Sequence, residues 1–311
     1  MKPIKTFRYL AIMATALSVI SCSDDNNSST EPTVCPPAYI TGTRINVTVL
    51  DYSPAPGQFI NEIPEYVSGD TYDTMNSKAT ECLNNGDMIS LGSFGGSVTI
   101  KTATPIKNIS GCADFRILGN AVYATSSVSG VRYGSAEPGI VLVMQDTNGN
   151  GLADDTWYEL KGDQTGKGID NYTVTYYFPE ADASDAEYIH WDASNGDTGY
   201  INRVSSYHTQ SFFPLWLDNT SMTFSGRRLP DNGKYNSSTG KYDLTCYTGY
   251  ADSHPNTNDD SNLDISNAID SSGNSVSLTS IDFIKIYTGV LQANGPLGEC
   301  STEIAGIEIL Y

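Results

Sequence analysis

A succession of short apolar segments, separated by turns rich in glycine, asparagine and aspartate, most constrains the fold. Residues 171–178 alternate between apolar and polar side chains, with Tyr172, Val174 and Tyr176 on one side, which is typical of a half-buried strand. Gly139–Met144 is an unbroken apolar run and predicts a strand buried on both faces. Many such strands, with few helical segments between them, predict an antiparallel sandwich or barrel and not alternating strand–helix units.

One segment breaks this pattern and predicts a single short helix near residues 71–84. Apolar side chains recur there at helical spacing, Asp70 is placed to cap the first turn, and Gly86 follows the last turn. Long loops are expected at residues 179–200 and 226–262, where turn-forming residues are interspersed with aromatic rings. The apolar face of the predicted helix consists of Tyr72, Met75, Ala79, Cys82 and Leu83.

The chain is strongly acidic, with 17 basic and 36 acidic side chains and a formal net charge of −19. A field of this sign repels nucleic acid and anionic lipid headgroups, so we expect no nucleic-acid partner. The 311 residues suffice for one large or two ordinary domains.

The N-terminus combines a basic start with an apolar run, residues 10–20, that is shorter than the about 20 residues a membrane-spanning helix takes. Residues 1–21 therefore predict a secretory signal peptide. Cys22 resembles the lipidated cysteine of bacterial lipoproteins, and the serine and aspartates after it resemble the surface-export signal of Bacteroidetes lipoproteins. This resemblance implies a lipid anchor on Cys22 in the outer membrane, facing the cell exterior, with an ordinary secreted protein as the alternative. Residues 22–37 hold almost nothing apolar and predict a disordered tether.

The most specific local motif is a loop that begins at Asp146 and carries oxygen side chains at positions 1, 3, 5 and 9, with glycine at position 6. This spacing is typical of an EF-hand-like calcium loop, because alternate side chains of a tight turn point inward and Ca²⁺ takes six to eight oxygens. The loop departs from an EF-hand at position 12, where Trp157 replaces the bidentate acid. The alternative is a hairpin turn without an ion. The expected ligands of a structural Ca²⁺ are Asp146, Asn148, Asn150, Leu152 through its carbonyl, Asp154 and Asp155.

Two further features leave alternatives open. A second polar loop, residues 249–264, either holds another ion or a ligand or is simply solvated. Export permits disulfides, and an odd number of cysteines after Cys22 allows at most two of them, with the pairing undetermined. These cysteines are Cys35, Cys82, Cys112, Cys246 and Cys300.

Catalytic patterns are scarce, and we expect no enzyme. None of the histidines, His190, His208 and His254, belongs to a metalloprotease motif, and the chain has no nucleophile-elbow motif. A glycan hydrolase is the alternative, since a chain with so many acidic residues does not reveal which two carboxylates would face one cleft.

Aromatic residues in and beside the polar segments favour ligand binding over catalysis. Exposed rings stack on the flat apolar faces of a ligand, although burial in the core is the better expectation for any single ring. The candidate ligand-binding residues are Trp191, Tyr207, Trp216, Tyr247, Tyr250 and Asp252.

Short motifs, in order along residues 44–311, resemble those of a family of Bacteroidetes cell-surface lipoproteins. They are Pro54-Ala55-Pro56-Gly57, Ser90-Leu91-Gly92-Ser93-Phe94-Gly95-Gly96, Asp114-Phe115-Arg116-Ile117-Leu118-Gly119-Asn120, Glu137-Pro138-Gly139-Ile140-Val141, the Asp146 loop with Asp155-Thr156-Trp157-Tyr158, Gly249-Tyr250-Ala251-Asp252, Ile281-Asp282-Phe283 and Ser301-Thr302-Glu303-Ile304.

This resemblance implies a jelly-roll-like antiparallel β-sandwich and a single ligand-binding domain, residues 38–311. It also implies that the protein captures a ligand for a TonB-dependent transporter, because members of the family accompany such uptake systems, including those for corrinoids. A corrinoid such as cobalamin is the first expected ligand and a glycan the second. A structural or adhesive surface protein without a small ligand is the third hypothesis. The resemblance supplies no set of ligand residues.

Overall fold

The computed structural model describes five parts of the chain, all within the unit Val34–Tyr311. The predicted signal peptide, the predicted lipidation site Cys22 and most of the predicted tether lie outside the described residues. Within the described residues, no helix is long and apolar enough to cross a membrane. The described residues are 35, 42–124, 133–237, 241–295 and 298–311.

Short strands and one α-helix make up the regular structure of the described residues. In chain order they are β1 (Thr43–Ile45), β2 (Val47–Ser53), α1 (Tyr72–Asn85), β3 (Ile89–Ser90), β4 (Ser97–Lys107), β5 (Phe115–Leu118), β6 (Val122–Tyr123), β7 (Tyr133–Ser135), β8 (Gly139–Met144), β9 (Tyr158–Leu160), β10 (Ile169–Tyr177), β11 (Ile189–Ala193), β12 (Thr198–Ile201), β13 (Ser221–Arg228), β14 (Gly233–Asn236), β15 (Lys241–Thr245), β16 (Asn262–Leu263), β17 (Ala268–Ile269), β18 (Ser280–Thr288), β19 (Glu303–Ile304) and β20 (Gly306–Ile309).

These strands form four antiparallel sheets and a two-stranded ribbon. The largest sheet has six strands in the order β17-β9-β8-β18-β4-β2, drawn from both halves of the chain. A second sheet, β12-β11-β10-β13, carries a row of exposed rings described below, and we call it the aromatic sheet. The other two sheets have the orders β1-β20-β5-β16 and β14-β15-β7-β6, and β19 pairs with β3 in the ribbon.

The predicted jelly-roll-like sandwich is wrong. The structure is mostly β with one helix, but its four small sheets are arranged as a four-bladed β-propeller. Alternation of apolar and polar residues identifies a strand without identifying its partners, which is why the sequence pattern did not show this arrangement. Residues 303–309, for example, divide at Ala305 into β19 and β20, which join different sheets, and β20 begins at Gly306 with a φ of 133°.

The two predicted long loops also contain strands. Residues 179–200 include β11 and most of β12, and residues 226–262 include β14 and β15. Their glycines, asparagines and aspartates occupy the turns between these strands and also positions within them, such as Gly199 and Gly233. A turn-rich composition therefore concealed short strands, because edge strands with few apolar residues resemble loops in sequence.

Two apolar clusters form the core. The first packs α1, through Met75, Ala79 and Leu83, against the six-stranded sheet. The second is rich in aromatic side chains and includes Tyr172 and Tyr176 of β10, which alternation in the sequence placed on one face. β8 is buried at all but one of its positions, as its unbroken apolar run predicted.

The helix begins and ends on recognisable caps. The Thr71 Oγ1 accepts the N–H of Thr74 at 3.3 Å, so Thr71 is the N-cap. The predicted cap, Asp70, instead lies 2.6 Å from the Lys78 ammonium. Gly86 ends the helix with a φ of 87°, a left-handed conformation that glycine adopts without strain.

Polar side chains of α1 cover the exposed edge of the six-stranded sheet. Three of them, spaced one helical turn apart, accept N–H groups of β2, which is the last strand in the sheet order. This contact satisfies donors that would otherwise pair with another chain. The pairs are Asn76 Oδ1 with Tyr52 N (2.7 Å), Thr80 Oγ1 with Val49 N (2.9 Å) and Asn84 Oδ1 with Val47 N (2.8 Å).

A disulfide joins Cys35 to Cys112. It links Cys35, near the start of the domain, to Cys112 in the loop between β4 and β5. Cys82 and Cys300 are free thiols, so the described residues contain one of the two disulfides that the sequence allowed.

Asp114 joins three separate segments in the interior. Its carboxylate accepts the N–H of Ile109 at 2.7 Å and the N–H of Ile265 at 2.8 Å. Its backbone pairs with Leu263 and Leu310. Burial raises the pKa of this carboxyl to about 6, and both oxygens remain hydrogen-bonded.

Replacing Asp114 by Ala should lower the free energy of unfolding by about 3 kcal/mol, because two buried N–H groups lose their acceptor. Urea unfolding at pH 7 measures the change. Asp87→Ala, at an exposed position, is the matched control and should change stability by less than about 0.5 kcal/mol. A loss below about 1 kcal/mol in Asp114→Ala would contradict the role assigned to this carboxylate.

Candidate ligand-binding site

A row of three exposed rings crosses the aromatic sheet. Tyr177 of β10 lies opposite His190 of β11, since Tyr176 pairs with Trp191, and His190 pairs directly with Tyr200 of β12. The ring centroids are 5.4 Å apart for Tyr177 and His190 and 5.3 Å apart for His190 and Tyr200. The alternation that buries Tyr176 turns the next residue outward, so these rings face solvent.

An open groove of about 590 Å³ runs along this row. Phe178, 49% exposed, also lines the groove, as do the carboxylates of Glu180, Asp182 and Glu187. The groove therefore combines apolar ring surfaces with hydrogen-bond acceptors, as ligand sites commonly do.

Polar contacts hold the walls of the groove in place. The Arg203 guanidinium lies 4.0 Å from the centre of the Tyr188 ring and 3.1 Å from the Asp185 carboxylate. On the opposite side, the His190 Nε2 is 2.8 Å from the Thr198 Oγ1. These contacts fix ring orientations before any ligand arrives, which reduces the entropy lost on binding.

Two smaller cavities share Asn202, Gly295 and Gly298 with each other, and one of them adjoins the groove at β12. One, of about 350 Å³, is lined by Tyr207 among others. The other, of about 100 Å³, is lined by Trp191 and by Tyr200, which also lines the groove. We call the second one the Trp191 cavity, and its lining also includes Ser93, Gln292 and Glu299.

Glycine opposite Trp191 makes room for its ring. Gly199 pairs with Trp191 across β11 and β12. A Cβ atom at Gly199 would lie 2.6 Å from the indole ring. No side chain larger than hydrogen is therefore compatible with the position of this ring.

The six predicted ligand-binding residues do not come together in one site. Trp191 and the 81% exposed Tyr207 line neighbouring cavities. Trp216 is buried and stacks on Tyr52 with centroids 5.8 Å apart. Tyr247 and Tyr250 are buried in the second core cluster, and Asp252 is buried elsewhere.

Asp252 belongs to a buried group of three carboxyls, with Glu137 and Glu303, which we call the acidic cluster. One carboxylate oxygen from each lies within 4.8 Å of the others. Asp252 has a φ of 50°, and its Oδ1 accepts the N–H groups of Asn120 and Ala121 at 2.8 and 2.9 Å. Its Oδ2 accepts the N–H of Glu303 at 2.9 Å, and its carbonyl accepts the N–H of Glu137 at 2.9 Å.

Further donors hold the two glutamates of the acidic cluster. The Glu303 carboxyl accepts from the Ser90 hydroxyl at 3.1 Å and from the Asn120 amide at 3.3 Å. The Glu137 Oε1 accepts the N–H of Ser301 at 3.1 Å. The cluster thus joins β3, β19 and three loops through hydrogen bonds to a few side chains.

Burial raises the pKa values of all three carboxyls, those of Glu137 and Asp252 well above the usual range. Repulsion from Glu303 raises the pKa values of the other two further. Carboxyls this close in the interior are neutralised either by protons or by a cation, and the spacing of the three oxygens is compatible with a metal ion.

Reasoning from single residues missed Glu137 and Glu303. One pattern in the sequence does lead to them. Glu137, Asp252 and Glu303 each belong to one of the short motifs that carry the family resemblance, and so do Ser90 and Asn120. These short motifs are distributed over more than 200 residues of the chain and meet at the acidic cluster. Buried polar groups need hydrogen-bond partners, and here segments distant in sequence supply them.

The side chains of the Asp146 loop turn inward as the spacing predicted. Asp146 accepts the N–H groups of Asn150 and Gly151 at 3.1 and 2.8 Å. The side-chain amides of Asn148 and Asn150 lie within 3.2 Å of Asp154. Of the remaining two predicted ligands, Asp155 accepts from Thr147 instead.

A lysine adds a positive charge beside this loop. The Lys101 ammonium of β4 donates to the Gly151 carbonyl at 2.7 Å. This hydrogen bond stabilises the turn. The positive charge of Lys101 also repels a cation that binds nearby. The oxygens of Asp146, Asn148, Asn150 and Asp154 still form a donor set suited to Ca²⁺.

The polar side chains of the 249–264 loop cap backbone groups. Asn256 pairs with both the N–H and the carbonyl of Gly119, at 3.0 and 2.9 Å. Asn258 and Asp264 accept N–H groups at the starts of short helical turns. His254 is buried and lies 2.8 Å from the Tyr123 hydroxyl. These contacts account for the polar residues as structural groups.

No protein-family model and no curated protein matches the chain. The family resemblance therefore stays a prediction, and the site has to be interpreted from its own geometry.

The acidic cluster should make the protein less stable as the pH rises. Its folded carboxyls keep protons that unfolded carboxyls release above their ordinary pKa, which is 4.5 for glutamate. The stabilisation is therefore complete below that pH and is lost as the pH rises through the higher folded pKa values. Each retained proton lowers the free energy of unfolding by about 1.4 kcal/mol per pH unit. Urea unfolding between pH 4 and pH 9 measures this dependence of the free energy of unfolding on pH.

Glu137→Gln should reduce this slope by up to about 1.4 kcal/mol per pH unit, the contribution of one retained proton, since glutamine is neutral at every pH. Glu62→Gln, at an exposed position, should leave the slope unchanged. An equal slope in Glu137→Gln and the wild type would contradict proton retention by the cluster. A slope that changes on adding a chelator would indicate neutralisation by a cation.

Proposed function

We propose that this protein is a lipid-anchored surface protein that captures a glycan for uptake by a TonB-dependent transporter. The observation that carries the ligand class is the row of Tyr177, His190 and Tyr200 across the aromatic sheet. The predicted signal peptide and lipidated Cys22 support the location, and the family resemblance supports the link to uptake.

Ring surfaces and acidic side chains in one groove suit a carbohydrate. The apolar faces of sugar rings pack on aromatic side chains, and sugar hydroxyls donate to carboxylates such as those of Glu180, Asp182 and Glu187. An open groove admits a chain of sugars, whereas a small closed cavity would admit only one unit. The acidic surface does not oppose a neutral glycan.

A corrinoid is the second candidate, on the family resemblance alone. Its macrocycle would also pack on exposed rings, but nothing in the groove distinguishes it from other flat ligands. It is therefore included in the binding experiment as a separate ligand.

Calorimetry of the soluble domain against a panel of glycans, cobalamin and cobinamide tests the proposal. We expect binding to at least one glycan, and we expect Tyr177→Ala and Tyr200→Ala each to weaken it about tenfold, or 1.4 kcal/mol, through loss of ring contact. Tyr235→Ala, at a 56% exposed tyrosine of β14, is the control and should bind normally. Binding of a corrinoid alone, or of no ligand, would refute the glycan proposal.

We also propose that the Asp146 loop binds Ca²⁺ through Asp146, Asn148, Asn150 and Asp154. The ion would hold the turn between β8 and β9 in place, with no part in ligand chemistry. Four side chains that carry suitable oxygens lie in one tight turn, with the amides of Asn148 and Asn150 beside Asp154, and this supports the proposal.

Removal of calcium with a chelator should lower the melting temperature by roughly 5 °C. At a free Ca²⁺ concentration of a hundred times Kd, binding contributes about 2.7 kcal/mol, and each kcal/mol corresponds to about 2 °C in a domain of this size. Asp146→Asn should abolish the difference, and Asp87→Asn should preserve it. The same melting temperature with calcium and with chelator would exclude a stabilising ion.

A further inference from the structure

The carboxylates that line the groove beside the aromatic sheet have no positive partner. Glu180, Asp182 and Glu187 are all exposed there. No basic side chain of the described residues forms an ion pair with any of them. The lining of the groove therefore contains three negative charges that nothing in the described part of the chain balances.

The positive groups near the groove already have other carboxylates as partners. The Arg203 guanidinium lies 3.1 Å from Asp185. Among the described residues that line the groove, only His190 has a side chain that can carry a positive charge, and its Nε2 lies 3.4 Å from the Asp192 carboxylate. Neither group offsets the three lining carboxylates. The electrostatic potential in the groove is therefore negative, and a concave surface concentrates such a potential.

The rings of the row supply apolar surface next to these charges. Tyr177 and Tyr200, at the two ends of the row, are 37% and 43% exposed. The apolar face of a sugar packs on such rings, and a cation near a ring face gains further attraction. A ligand that combines a sugar ring with a positive charge uses both features of the groove, whereas a sugar that carries a carboxylate or sulfate group is repelled.

We propose that the groove selects glycans whose sugars carry a protonated primary amine, as in oligomers of glucosamine. The ammonium groups pair with the carboxylates of Glu180, Asp182 and Glu187, and the sugar rings pack on Tyr177 and Tyr200. This inference rests on the glycan proposal and specifies the charge of the glycan. Neutral and anionic sugars lack the ion pairs and therefore bind more weakly.

Calorimetry of the soluble domain at pH 6 tests this with pentamers of glucosamine, N-acetylglucosamine and glucose in the same β linkage. Only the first of them is charged, because its amines are free and largely protonated at this pH. Exposed ion pairs each strengthen binding a few-fold, so we expect the glucosamine pentamer to bind about tenfold more tightly than the other two. Raising sodium chloride from about 0.05 M to about 0.5 M should reduce this preference, because salt screens exposed charges.

Neutralising the lining of the groove should remove the preference. In a variant with Glu180→Gln, Asp182→Asn and Glu187→Gln, the ratio of the affinities for the glucosamine and N-acetylglucosamine pentamers should fall to about one, because amides keep the shape of carboxylates without their charge. A matched control variant has the same change of net charge at exposed positions outside the lining of the groove, and it should keep the ratio of the wild type. The control substitutions are Glu65→Gln, Glu81→Gln and Asp87→Asn.

Equal affinity of the wild type for the glucosamine and N-acetylglucosamine pentamers would overturn this inference and leave the glycan proposal standing. Binding of no glycan at all would refute both. An unchanged preference in the variant of the groove would show that the selection arises elsewhere on the acidic surface, and it would also overturn the inference. Pentalysine, which is cationic but has no sugar rings, should bind more weakly than the glucosamine pentamer. Equal binding of pentalysine would assign the groove to cationic peptides instead.

Discussion

The fold depends on the hydrogen bonds that Asp252 makes in the interior. A single carboxylate accepts three backbone N–H groups, two from the turn after β5 and one from the start of β19. Its own backbone, in a left-handed conformation, receives the N–H of Glu137. Segments separated by 51 and 132 positions along the chain thus meet at one residue.

This arrangement has an electrostatic cost, and among the described residues no basic side chain forms an ion pair with the cluster. Glu137, Asp252 and Glu303 are close together, and Glu299 and the Cys300 thiol are near enough to be affected by their charges. Neutral carboxyls that donate and accept hydrogen bonds are the alternative to an ion pair in such a place.

The candidate ligand surface follows from one strand. In β10, inward residues Tyr172, Val174 and Tyr176 fill the second core cluster, and the outward neighbour Tyr177 begins the row of exposed rings. Core and binding surface are therefore two faces of the same pleated sheet. A shift of register by one residue would exchange the inward and outward side chains. The packing of the aromatic core therefore also fixes which side chains line the groove.

Features set by nearest neighbours in the chain were predictable. The helix lies within one residue of its predicted bounds, although Thr71 and not Asp70 caps it. The doubly buried strand β8 and the one-sided strand β10 also have the predicted character. Features set by distant partners were not predictable. The sandwich was wrong because the pairing of strands does not appear in their alternation, and Trp216, Tyr247 and Tyr250 proved to be core residues.

The sequence by itself determined where the helix lies, that β8 is buried on both faces and that β10 is buried on one, since each depends on local spacing. Only the tertiary structure decided that Glu137, Asp252 and Glu303 share one interior site and that Tyr177, His190 and Tyr200 form a row. These depend on which strands lie side by side. The physical reason is that short strands of similar composition can pair in many ways, and the choice among them is made by burial of the whole core.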